Sequence, residues 1–133
     1  MEQIRIVVPW DVSRTSANNI VRLRNPYARA RLYKRAKDVA RYAWMAAGRP
    51  TLAPPVKVDI VVRRGRRLDD DNAVSGCKQL RDAIFTDGVT PTDAPRHLTL
   101  GTVTQETGAA WKYSPEVEFI ISPLILAQKN DSR

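Results

Sequence analysis

Asp69-Asp70-Asp71-Asn72 is the stretch of the chain whose residue types most directly suggest chemistry. Adjacent carboxylates repel one another unless a cation or basic groups sit between them. Their hard oxygen atoms suit Mg²⁺, or Mn²⁺ in its place, since Mg²⁺ takes one or two carboxylates and completes its shell with water and substrate phosphate. A lone Asp at this point would read as a helix N-cap, favoured by the positive end of the helix dipole. Three in a row behind Arg63-Arg64-Gly65-Arg66-Arg67 favour a cation site. Asp71, Ser75, Lys78 and Asp82 follow at spacings of 4, 3 and 4, which places them on one face of a helix. Lys78 can then point the same way as Asp71 and neutralise charge on a reacting phosphate. Taken alone, that pattern is also an ordinary solvated ladder of ion pairs. Asp93 lies in a loop stiffened by Pro91 and Pro95, where an Asx-turn is the plain alternative to a ligand role. The single histidine, His97, has no second histidine to support a metal or triad role and reads as structural.

The elements that must carry these residues follow from hydrophobic period and turn chemistry. Gln3–Val8 reads as a strand stopped by Pro9, and Trp10–Pro26 as an irregular loop. Tyr27–Ala47 has helical period, with Leu32, Ala36, Val39, Ala40, Ala43 and Ala47 on one face, ended by Gly48 and Pro50. Val56–Arg63 is a β-branched strand. Asp71–Thr86 reads as one helix with Val74, Cys77, Leu80, Arg81 and Ile84 inward. His97–Gln105 and Pro115–Ser122 read as strands joined by a hairpin turn over Thr107–Ala110. Residues 127–133 read as a polar tail expected to be flexible. The order β-α-β-α-β-β predicts a single α+β domain over residues 1–133, with helices packed on one mixed sheet.

Composition narrows the partners. The chain has 133 residues and a net charge of +8, unevenly spread. Residues 1–67 hold 16 Lys/Arg against 4 Asp/Glu, and residues 68–133 hold 6 against 10. A basic half beside an acidic half suits a protein that grips a polyanion with one part and a cation with the other. The candidate DNA-binding residues are Arg22, Arg24, Arg29, Arg31, Lys34, Arg35, Arg63, Arg64, Arg66 and Arg67. Such a set gives phosphate contacts and salt dependence rather than base reading. Tyr27, Tyr33, Tyr42 and Trp44 interleave with them and can stack on opened bases, although packing explains most aromatic residues better. The one cysteine, Cys77, excludes an internal disulfide and a cysteine-based zinc site. No long apolar run and no leader-like start point to a cytoplasmic setting without membrane contact.

The stretch from Arg63 to Leu100 resembles the RusA family of Holliday-junction resolvases, many of which are encoded by phages. The likeness is carried by a basic strand end, Asp69-Asp70-Asp71-Asn72, then Lys78, Asp82-Ala83-Ile84, Gly88-Val89 and Asp93. It implies a Mg²⁺-dependent endonuclease that makes paired nicks in a four-way DNA junction during recombination and repair, acting as a homodimer. Asn72 sets the register, so Asp69, Asp71 and Asp93 match the family's metal carboxylates, with Asp70 able to stand in for Asp69. Lys78 matches the catalytic lysine, displaced by three residues, or about 4.5 Å along a helix. Thr92 stands where the family usually has a further acidic residue. A basic DNA-binding protein without catalysis, or a nuclease for other branched DNA, are the alternatives.

Overall fold

In the computed structural model, which describes residues 3–86, 88–90 and 98–124, the chain is an α+β unit built on one four-stranded sheet. Strand β1 (Ile4–Val8) leads through a 3-10 turn (Val12–Thr15) into helices α1 (Ala17–Arg22) and α2 (Pro26–Ala46). Strand β2 (Val56–Arg64) is followed by helices α3 (Asp70–Gly76) and α4 (Lys78–Thr86). Strand β3 (Leu98–Thr107), a second 3-10 turn (Ala109–Trp111) and strand β4 (Glu116–Pro123) complete it. Among the described residues no helix is long and apolar enough to cross a membrane.

Alternation along the strands builds the core. Val56, Val58, Ile60 and Val62 of β2 are buried together with Val117, Phe119 and Ile121 of β4 and Ile6 and Val8 of β1. Ala36 and Ala40 of α2 and Leu80, Ile84 and Phe85 of α4 join the same cluster. Helix α2 starts where Asn25 accepts a hydrogen bond from the Tyr27 amide at 2.9 Å and Pro26 fills the first helical position. It stops at Gly48, whose φ of 95° is cheap only for glycine.

Three features depart from the sequence-based expectation. The Trp10–Pro26 region is not irregular throughout, because the 3-10 turn and α1 occupy it. The helix expected over Asp71–Thr86 is two helices with a turn at Cys77, whose amide donates to the Val74 carbonyl at 3.2 Å. That turn shifts the inward face to Ala73, Gly76 and Cys77 and leaves Val74 at 40% exposure. Burial pushes the Cys77 thiol up to about 12, so it is inert at neutral pH.

The third departure concerns β3 and β4, which do not form a hairpin. The sheet order is β1-β4-β2-β3, with β3 parallel to β2 and β4 antiparallel to both of its neighbours. Helices α3 and α4 supply the long crossover that a parallel β2–β3 pair requires. Strand β4 takes one of the two central places, beside β2, which suits the burial of Val117, Phe119 and Ile121. Strand β3, with Thr99, Thr102, Thr104 and Glu106 exposed, suits an edge. The chain therefore crosses over the end of β2. There the Gly108 amide donates to the Arg64 carbonyl at 3.1 Å, and a Cβ on Gly65 would stand 3.1 Å from the Lys112 Cα.

The first 3-10 turn is clamped onto α3. The Thr15 hydroxyl donates to the Gly76 carbonyl at 2.7 Å, and the Ala17 amide to the Ser75 hydroxyl at 3.0 Å. Gly76 permits this approach, since any Cβ there would collide with the Val12 carbonyl. Gly76→Ala is accordingly expected to destabilise the fold by about 1–3 kcal/mol, as overpacking does, read from the midpoint of urea unfolding.

Candidate metal and nucleic-acid site

The acidic cluster sits where β2 gives way to α3. Asp69 is the N-cap residue of α3, with φ −57° and ψ 143°, and its carbonyl accepts from the amides of Asn72 and Ala73 at 3.0 Å each. Its carboxylate makes no cap hydrogen bond, so the expectation that one Asp merely caps this helix is not met by Asp69's side chain. Asp70 and Asp71 occupy the first turn, where the helix dipole favours anions. All three side chains are exposed.

They are not equivalent. Asp70 Oδ1 accepts from Arg67 Nη2 at 2.8 Å and from Gln105 Nε2 at 3.2 Å. Among the described residues, the carboxylates of Asp69 and Asp71 take part in no hydrogen bond or ion pair. Asp69 and Asp71 are thus open to a cation and Asp70 is already engaged. Gln105 also pins the loop itself: its Oε1 accepts from the Leu68 amide at 2.8 Å and its Nε2 donates to the Leu68 carbonyl at 2.9 Å. No sequence signal pointed to Gln105, a polar residue on an edge strand separated from Leu68 by 37 positions.

Asn72 has a structural task, accepting from the Asn18 amide at 3.3 Å and so tying α1 to α3. Lys78 opens α4, and its Nζ donates to Asp82 Oδ2 at 3.1 Å. Lys78 and Ser75 line one small cavity of about 250 Å³ together with Thr15 and Tyr33. The turn at Cys77 interrupts the continuous helical face from which Lys78 was expected to project beside Asp71. Asp93 and His97 lie outside the described residues, as does the tail over residues 127–133. Among the described residues no group of three or more His, Cys, Asp or Glu is placed to hold a metal ion.

The basic residues divide sharply. Arg63 donates to Glu106 at 2.9 Å, Glu116 at 2.8 Å and Glu118 at 2.8 Å, and only 18% of its side chain is exposed. Partial burial works against its charge, but the three carboxylates outweigh it and hold its pKa above the usual value. Burial likewise pushes the Glu118 carboxyl up, and hydrogen bonds from Arg63 and Arg5 overcome that and hold it below its usual range. Arg64 donates to Asp11 at 2.9 Å and to the Arg66 carbonyl at 2.7 Å. Burial raises the Asp11 carboxyl, but hydrogen bonds from Ser13 and Arg64 leave it lowered overall. Arg63 and Arg64 are therefore committed inside the fold.

Arg22, Arg24, Arg31, Lys34, Arg35, Arg66 and Arg67 are exposed and Arg29 is half-buried. Arg31, Lys34 and Arg35 line one groove with Arg14, a residue the charge pattern had not singled out. Lys34 is shared with Asp38 at 2.9 Å. Of the interleaved aromatic residues, Tyr27 and Tyr42 are exposed, while Trp44 packs on the core and donates to the Pro50 carbonyl at 2.9 Å. No protein-family model matches the chain, and no curated protein matches it in sequence.

Proposed function

We propose that the chain is a Mg²⁺-dependent endonuclease for branched DNA, with a four-way junction as its substrate, working as a homodimer in recombination and repair. The observation that carries this reading is the pair of exposed, uncommitted carboxylates, Asp69 and Asp71, at the start of α3, beside a loop that Gln105 pins at Leu68 and that carries Arg66 and Arg67. Their donor chemistry fits Mg²⁺, which needs few protein oxygens and leaves room for water and phosphate. Asp93 is the third carboxylate of this proposal. When bound, the ion would polarise the scissile phosphate and make water a better nucleophile.

The chain's own residues have separate tasks. Asp69 and Asp71 hold the cation, and Asp70, kept by Arg67 and Gln105, stiffens the loop between β2 and α3. Lys78 exchanges its contact with Asp82 for the charge that develops on the phosphate. Arg66 and Arg67 take flanking phosphates, and Arg22, Arg24, Arg29, Arg31, Lys34 and Arg35 take phosphates further away. A two-fold dimer suits a substrate with two-fold symmetry and gives paired nicks.

The test compares a synthetic four-way junction, a flap and a linear duplex, each with Mg²⁺ or with EDTA. Paired nicks confined to the junction support the reading, and cleavage of the flap alone moves it to another branched substrate. Binding without any cleavage makes the chain a DNA-binding protein, the second reading, which the Arg14–Arg31–Arg35 groove also favours because it needs no metal. Lys78→Ala is expected to lower the cleavage rate by about 100-fold, the loss typical of one electrostatic contact to a reacting group, and to leave the Mg²⁺ requirement unchanged. Gln105→Ala frees the loop at Leu68, next to Asp69, and is expected to do the reverse: it raises the Mg²⁺ concentration for half-maximal cleavage by about 10-fold, the lower end of what loss of support around a metal site costs. A Mg²⁺ titration of each variant separates the two effects.

A further inference from the structure

The crossover from β3 to β4 forms a second groove that the acidic cluster does not use. Its volume is about 450 Å³, and Pro9, Trp10, Arg14, Tyr113 and Pro115 line it. Tyr113 is 86% exposed, which is unusual for so large a ring, and Lys112 Nζ lies 5.3 Å from its centroid. Trp10, by contrast, is buried and donates its indole N–H to the Thr15 hydroxyl at 3.1 Å. The Arg14 guanidinium lies over the Trp10 ring at 4.5 Å, which orients it without a carboxylate.

Charge decides what this groove can accept. Two carboxylates line it, Asp11 and Glu116, and both are already paired, with Arg64 and Arg63. Arg14 also belongs to the neighbouring groove of about 640 Å³ that contains Arg31 and Arg35. Among the described residues, Arg14, Arg31 and Arg35 make no ion pair. One arginine therefore joins an aromatic groove to a row of free guanidinium groups. The aromatic groove also lies at the end of the sheet where β2 leads into the acidic loop, since the crossover passes over Gly65 and Asp11 is bonded to Arg64.

We infer that the two grooves form a binding site for an unpaired nucleotide strand, with one base stacked on Tyr113 and its phosphate on Arg14. The following phosphates run along Arg31 and Arg35. A paired base offers a protein only its edges, whereas an unstacked base offers the flat face that an exposed tyrosine matches. The inference rests on the chain being a DNA-binding nuclease and adds the kind of DNA it prefers, one with unpaired bases beside the cleavage site.

The test is fluorescence anisotropy of the full chain with a labelled oligothymidine of about ten nucleotides, within the span one small domain covers, in EDTA. Tyr113→Ala is expected to weaken binding by about 5- to 150-fold, the range for loss of one stacked base, and Tyr113→Phe to restore it. Arg14→Ala should lower the slope of log affinity against log salt by about 0.7, one single-strand phosphate contact. Leu100→Ala, an exposed apolar change on β3 outside both grooves, should leave binding as it was. Unaltered binding by Tyr113→Ala overturns the inference. So does loss of affinity for oligoglutamate, but not for the oligonucleotide, on changing Tyr113, because the groove would then serve an acidic peptide. If the chain nicks junctions but binds single strands without help from Tyr113, the inference alone fails. If binding depends on Tyr113 but nothing is cleaved, the site stands and the nuclease reading fails.

Discussion

Asp71→Asn is expected to reduce Mg²⁺-dependent cleavage of a four-way junction by about 100-fold or more, while junction binding in EDTA stays intact. The substitution keeps the size of the side chain and removes one charge from a position that faces solvent and has no partner among the described residues. Folding should therefore change little, by about 0.3–1 kcal/mol at most, the contribution of one acidic residue to a helix N-terminus. Asp70→Asn provides the contrast. It weakens contacts to Arg67 and Gln105 but removes no open ligand, so its effect on cleavage should be far smaller. Equal losses at both positions would contradict the assignment of Asp70 as a stiffening residue. Parallel rate measurements on the two variants decide it.

Arg63→Ala carries the largest expected effect on stability. Among the described residues it leaves Glu106, Glu116 and Glu118 facing one another with Arg5, at 3.1 Å from Glu118, to offset them. Glu118 retains only 9% side-chain exposure, so its charge cannot simply turn to water. Breaking a buried ion pair by removing one partner costs about 3–5 kcal/mol. The lower end fits this site, because Glu106 at 50% and Glu116 at 29% exposure are partly solvated. Urea unfolding at neutral pH measures the loss.

The pH dependence follows from the same contacts. The folded-state pKa of Glu118 is depressed, so its contribution to stability is fully present above the ordinary glutamate range and is lost as pH falls through the folded value. The wild-type advantage over Arg63→Ala should therefore shrink on acidification, as the glutamates lose charge in both proteins. A gap that stays constant from neutral pH into the acid range would show that Arg63 acts through packing alone.

Much of the framework is legible in the sequence because it rests on local periodicity. The alternation Val56, Val58, Ile60, Val62 marks β2, and the spacing of Leu32, Ala36, Ala40 and Ala43 marks α2. What the sequence does not reveal depends on distant partners. Strands β3 and β4 follow one another like a hairpin, yet β4 is drawn to the centre by its buried Val117, Phe119 and Ile121. The turn at Cys77 follows Gly76, and a helical period tolerates one glycine, so the period runs through the break.

The candidate site divides in the same way. The run Asp69-Asp70-Asp71 is visible as a charge anomaly, but Asp70 is set apart from its neighbours by its contacts with Arg67 and with Gln105, which lies on another strand. Arg63 and Arg64 look like part of a basic phosphate grip. Sheet register instead sets Arg63 opposite Glu106 and Glu116, and Arg64 reaches Asp11. Arg14 and Tyr113 are far apart in the chain and meet only because the crossover passes over the end of β2.

Mapping the products that the wild-type chain makes from a synthetic four-way junction, as Mg²⁺ is raised from zero, tests the proposal of a metal-dependent junction nuclease. Symmetric paired nicks are expected to rise with Mg²⁺, to vanish in EDTA and to fall by about 100-fold or more with Asp71→Asn. Cleavage that persists in EDTA, or that Asp71→Asn leaves unchanged, would contradict that proposal.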